Sequence, residues 1–317
     1  MRQTTTRLKS WLIMCMFLMV ASPVFAAEKL TVMLDWFPNI DHLPLYVAQQ
    51  EGIFTKAGLD VAILTPSDTT DALKLAATHK VDIAVSYEPQ AIVAASQGLP
   101  VVVVGRLVEH PLGVLLFLED KGIEKPSDLT GRKIGYTVPG MEDILLKAFA
   151  ENNGISSYTP INVGFTIIPA LVSGKVDAIM GPYKNYEVVE LEEKGYPARY
   201  FEPSQWGLPD YDELVFISGK QALNKKEKAL RSFVATVGEA IEFTRKNPDK
   251  ALAAYFKAVP EADRNMETKA FKVTVSLYAS SQVHDSGRWQ SFADFALHCG
   301  LIDKAVDVKD ILPQWVD

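Results

Sequence analysis

The sequence predicts an α/β protein of two lobes, each a mostly parallel sheet flanked by helices. Three observations carry that expectation. Short apolar runs alternate with helical stretches from residue 30 to residue 201, the order of elements restarts near Lys133, and a long helical tail follows residue 214. Alternating strands and helices build parallel sheets with helices on both faces.

The first set places strands at 30–34, 59–64, 83–85 and 101–104, with helices at 44–50, 71–78 and 90–97; a strand at 114–118 follows. The second set places strands at 134–136, 161–163, 178–180 and 199–201, with helices at 142–151, 168–173 and 186–194. Lys80-Val81-Asp82 and Lys175-Val176-Asp177 echo each other, each lying between a helix end and a short apolar strand. After one more strand at 214–217 the chain reads as helical at 222–256, 261–280 and 289–298. Such a tail is expected to cross back onto the first lobe. The division expected is residues 27–110 and 213–317 for one lobe and 111–212 for the other, with hinges at 109–113 and 209–214. Ligands of open α/β sheets bind beyond the carboxyl ends of the strands, so two facing lobes imply a cleft that closes by hinge motion.

The first 26 residues read as an address. Arg2, Arg7 and Lys9 precede an apolar run at 11–20, and Val24-Phe25-Ala26 offers a cleavage site after Ala26. That is a secretory signal peptide, and its run is shorter than the roughly 20 residues that span a bilayer. Met14 before Cys15 is too bulky for a lipoprotein site. Cleavage leaves 291 residues with one cysteine, Cys299, so no internal disulfide is expected. The segment carries three basic residues and no acids, and its loss moves the net charge from −7 to −10. An acidic chain without a basic run argues against nucleic acid and anionic lipid.

The candidate binding residues fall where strands run out. Asp35, Trp36, Asn39 and His42 lie on a loop between the first strand and a helix opened by Pro44. A large indole beside acid and amide side chains suits a flat polar ligand, whereas Asp41 and Phe37 read equally well as a helix cap and a core aromatic. Tyr87 and Glu88 end another strand, and Glu88 also suits a helix start. In the second lobe, Pro139 and Gly140 turn a strand into a helix whose first turn carries Glu142 and Asp143. Those acids occupy the positive end of the helix dipole and disfavour an anionic ligand there. Tyr183, Asn185 and Glu187 follow the strand at 178–180, the last two as acceptors for an amine or amidine-like ring edge. Trp206 either lines the cleft or seals the hinge. The five histidines have no metal-ligand spacing, and no nucleophile elbow, Walker loop or dinucleotide fingerprint is present. No catalytic residue, metal or cofactor is expected.

The run Leu34-Asp35-Trp36-Phe37-Pro38-Asn39, then His42 and Pro44-Leu45-Tyr46-Val47-Ala48, then Gly52-Ile53-Phe54, resembles the thiamine-pyrimidine-precursor family. Ser86-Tyr87-Glu88-Pro89-Gln90 and Gly181-Pro182-Tyr183-Lys184-Asn185-Tyr186-Glu187 are similar to later family motifs. The resemblance runs from about residue 29 onward. It implies a two-lobed type II periplasmic binding fold. Bacterial members look like binding proteins for formylaminopyrimidine-type compounds that serve an ABC permease. Fungal members look like enzymes that form the pyrimidine from their own histidine and pyridoxal phosphate, and are expected to carry a Cys-Cys-Cys-Phe-Gly stretch. This chain has Ile179-Met180-Gly181-Pro182-Tyr183 instead, so His42 reads as a pocket hydrogen-bonder. The expected product is a periplasmic, monomeric, non-enzymatic receptor for a thiamine-related pyrimidine. The alternatives are a pyrimidine-forming enzyme, a receptor for another planar heterocycle such as riboflavin, and the sensing partner of a membrane receptor.

Overall fold

A computed structural model describes residues 27–316; the signal peptide expected at 1–26 lies outside the described residues. Ten strands are present among the described residues: β1 (Glu28–Met33), β2 (Leu59–Leu64), β3 (Ile83–Ser86), β4 (Val101–Val108), β5 (Gly113–Leu118), β6 (Lys133–Tyr136), β7 (Thr159–Asn162), β8 (Ala178–Tyr183), β9 (Ala198–Phe201) and β10 (Leu214–Gly219). Between them run α1 (Leu43–Gln50), α2 (Ile53–Lys56), α3 (Asp71–Ala77), α4 (Glu88–Ser96), α5 (Glu142–Asn152), α6 (Ile167–Val172) and α7 (Glu187–Glu193). The tail adds α8 (Lys220–Lys246), α9 (Pro248–Ala258), α10 (Arg264–Thr274) and α11 (Ser286–His298).

The strands form two five-stranded sheets, ordered β2-β1-β3-β10-β4 and β7-β6-β8-β5-β9. In each sheet one strand runs against the other four: β10 is antiparallel to β3 and β4, and β5 is antiparallel to β8 and β9. Both opposed strands directly follow a crossing between sheets. The chain leaves β4 at the carboxyl end of its sheet and enters β5 at the carboxyl end of the other, so β5 must run backwards. β10 repeats this on the return. The sheets are therefore mixed.

β4 is buried along its whole length, as its near-continuous apolar run requires when both faces are covered. Helix α8 lays Leu230, Phe233, Val234, Val237 and Ile241 against β4 and β10, a spacing of three and four that makes one apolar stripe. The single helical stretch expected at 222–256 is kinked at Lys226, where φ is −128°, and broken again before Pro248. Pro248 lacks the N–H that would continue α8 and instead opens α9. The helix expected at 261–280 shortens to α10, which starts where the Asp263 side chain accepts from the Asn265 and Met266 amides.

The cleft lies where the parallel strands of both sheets end. Asp35 and Trp36 follow β1, Tyr87 follows β3, Thr137 follows β6, and Tyr183 closes β8.

Candidate functional site

A cavity sits between the sheets, lined by Asp35, Trp36, Asn39, Asp41, His42, Tyr87 and Leu214 from the first and by Thr137, Glu142, Ile167, Gly181, Tyr183, Tyr186 and Glu187 from the second. The first wall is pre-built around Asp35. Tyr87 Oη donates to its Oδ2 at 2.8 Å, and His42 Nε2 lies 2.8 Å from its Oδ1. The loop that carries these groups is turned by Asn39, whose side chain accepts from the Asp41 amide at 2.9 Å and caps the short 3-10 turn Ile40–His42. Asn39, not Asp41, is thus the cap. Asp41 is wholly buried instead and reaches across the cleft.

The second wall is built on two helix starts. Glu142, at the first turn of α5, accepts from the Thr137 and Val138 amides at 2.5 and 2.9 Å and from the Thr137 hydroxyl at 2.6 Å. Glu187, at the first turn of α7, accepts from the Tyr183 amide at 2.7 Å. Gly181 has a φ of +114°, and a Cβ there would lie 2.3 Å from Glu142 Oε1, so only glycine lets this carboxyl press against β8. Trp36 closes the mouth by meeting Phe165 of the opposite lobe edge-on at 4.4 Å.

Four carboxyl groups, Asp35, Asp41, Glu142 and Glu187, line this cavity, and its lining includes no lysine or arginine. Burial pushes Asp41, Glu142 and Glu187 each up to about 7, and neighbouring acids add to the rise. Their hydrogen bonds pull the other way and do not cancel the burial. Asp41 Oδ2, Asn185 Oδ1 and His42 Nδ1 are buried without a partner. With its carboxyls ionised, this lining suits a ligand that brings N–H donors, and it repels an anion.

Of the residues expected at the site, Asp35, Trp36, Asn39, His42, Tyr87, Tyr183 and Glu187 are brought to one cavity. Five are not part of its lining. Asn185 is fully buried and donates to Asp41 Oδ1 at 2.6 Å and to Thr274 Oγ1 at 2.7 Å, joining the two lobes. Glu88 is fully buried and accepts from the Asp212 amide at 2.7 Å. Pro139 and Gly140 border a separate groove with Lys74 and Gln90, and the Gly140 amide donates to Asp143. Trp206 packs edge-on against Phe201, 5.6 Å away. Asp41, Thr137, Glu142, Ile167, Gly181, Tyr186 and Leu214 line the cavity without having been expected there. The signal for Glu142 was present, since an acid at a helix start beyond a strand is a natural inward-facing group.

Residues 39–251 match the family model described as "NMT1/THI5 like". A Haemophilus influenzae protein named for thiamine biosynthesis is 36% identical over 299 residues, covering 93% of this chain and 95% of that one. The formylaminopyrimidine-binding protein of Halalkalibacterium halodurans is 35% identical over 270 residues, covering 84% and 82%. A 4-amino-5-hydroxymethyl-2-methylpyrimidine phosphate synthase of Saccharomyces cerevisiae is 27% identical over 290 residues, covering 87% and 85%. Among solved structures, the periplasmic aliphatic sulphonate binding protein of Escherichia coli superposes with a TM-score of 0.70 at 17% identity, over 90% of this chain and 92% of that one. That likeness carries the fold: two α/β lobes of the periplasmic binding type, with mixed sheets.

Proposed function

The chain belongs to the NMT1/THI5-like family, and from that membership and the chemistry of its cavity we propose a periplasmic solute-binding protein of an ABC importer. Its ligand in this reading is a thiamine-related pyrimidine of the formylaminopyrimidine or hydroxymethylpyrimidine type. The observation that carries the reading is a cavity lined by four carboxyl groups, three tyrosines and a tryptophan, with no basic side chain in its lining other than His42. An aminopyrimidine matches it. The flat ring lies against Trp36, and the exocyclic amine and ring edge meet Asp35, Glu142 and Glu187. The printed name of the Halalkalibacterium halodurans relative supports the same ligand class. The acids disfavour a sulfonate even though a sulphonate binder shares the fold. Closure in this reading turns on the crossings at 109–113 and 209–214, with 27–110 and 213–317 as one lobe and 111–212 as the other.

The test is thermal unfolding of the mature chain with a panel of ligands. An aminopyrimidine is expected to raise the midpoint while an alkanesulfonate and riboflavin leave it unchanged; the reverse pattern overturns the reading. A second reading, a pyrimidine-forming enzyme, draws on the place of His42 beside Asp35 and on the name of the yeast relative. The cavity lining offers no lysine to hold pyridoxal phosphate as a Schiff base, which counts against this reading, and adding the cofactor decides it. A Schiff-base absorbance with loss of intact His42 supports the enzyme, and an unchanged spectrum with His42 intact supports the receptor.

A further inference from the structure

Asp212 and Glu213 are consecutive buried acids on the returning crossover, and their carboxylates grip different parts of the molecule. Asp212 is held by the first lobe and the tail. Arg106 Nη1 of β4 donates to it at 3.1 Å, Trp289 Nε1 of α11 at 2.8 Å, and Arg288 also donates; His284 Nδ1 lies 2.6 Å away. Glu213 is held by the second lobe. Its Oε2 accepts from the Leu112 and Gly113 amides at 2.5 and 3.0 Å, where the outgoing crossover enters β5. Its Oε1 accepts from the Tyr183 hydroxyl at 3.1 Å. The two grips therefore meet across a single peptide.

Tyr183 extends this grip to the ligand. It lines the cavity, its amide donates to Glu187, and its hydroxyl ends on Glu213. A ligand packed on the Tyr183 ring fixes the hydroxyl, and the hydroxyl fixes the carboxylate that also holds the first crossover. We propose that Glu213 is a positioning residue that converts occupation of the cavity into lobe closure, a role that rests on the cavity being the ligand site proposed above. Glu213 sets the angle at which Asn185 reaches Asp41 and Trp36 meets Phe165 across the cleft. A purely structural Glu213, one that only satisfies the Leu112 and Gly113 amides, has no reason to act through Tyr183.

The test uses the mature chain, the variants Glu213→Gln and Tyr183→Phe, and the double variant. Affinity for 4-amino-5-hydroxymethyl-2-methylpyrimidine is read by calorimetry, and compaction by small-angle X-ray scattering. Glu213→Gln is expected to bind about tenfold more weakly, the size of effect for one charge-assisted hydrogen bond, and to lose the ligand-induced compaction. Tyr183→Phe should do the same, and the double variant should be no worse than the weaker single one. Independent, additive losses overturn the proposal, as does a Glu213→Gln protein that compacts and binds like the parent while merely unfolding sooner. Should the parent bind no aminopyrimidine, the ligand reading fails, and ligand-free scattering still decides the role of Glu213. A larger radius of gyration in both single variants supports it, and an unchanged radius overturns it.

Discussion

The Asn185 side chain crosses the cleft to donate to Asp41 across 2.6 Å, and both residues are fully buried. The bond joins the loop after β8 to the loop after β1. Removing the amide with Asn185→Ala leaves a buried acid and the Thr274 hydroxyl short of a donor. The expected cost is about 1–3 kcal/mol of stability, read by urea unfolding, together with a wider ligand-free particle in solution. Unchanged stability and size would show that the bond does not hold the lobes together.

Gly181→Ala tests the second wall. The added methyl would meet the Glu142 carboxyl at 2.3 Å on a backbone with φ of +114°. Displacing that carboxyl is expected to cost about 2 kcal/mol or more and to reduce ligand affinity at the same time. Thermal unfolding and calorimetry on one sample separate the two effects. Full affinity in this variant would remove Glu142 from the binding wall.

Much of this geometry was legible before the structure. Asp35, Trp36 and Tyr87 stand at strand ends, and strand ends of open α/β sheets face the cleft. What the pattern could not carry was partnership over distance. Asn185 reads as a free amide in its own loop, yet its partner Asp41 lies 144 residues away. The reversed direction of β5 and β10 was only implicit in the crossings expected at 109–113 and 209–214, because an apolar run has no polarity of its own. The break at Pro248 was written in the sequence, and the periodic stretch on either side of it masked the missing N–H.

The pH dependence follows from Asp41, Glu142 and Glu187, which burial raises from 3.8 or 4.5 to about 7. A carboxyl whose folded pKa is raised stabilises the fold in its protonated form. That contribution is fully present below its ordinary value and is lost as pH climbs through about 7. The ligand-free protein is therefore expected to become less stable between about pH 4 and about pH 8. A ligand bearing N–H donors favours the ionised acids, so its stabilising effect should grow across the same window. Unfolding midpoints measured with and without ligand check both signs. A ligand effect that shrinks as pH rises would contradict an amine-accepting site.

The central claim is that Trp36 and the cavity acids together hold an aminopyrimidine, and calorimetric titration of the mature chain tests it most directly. Formylaminopyrimidine or hydroxymethylpyrimidine is expected to give saturable one-to-one binding, weakened by about 1–3 kcal/mol in Trp36→Ala, the range for an aromatic anchor. Heat from an alkanesulfonate with none from either pyrimidine, or an unchanged affinity in a folded Trp36→Ala protein, would contradict the account.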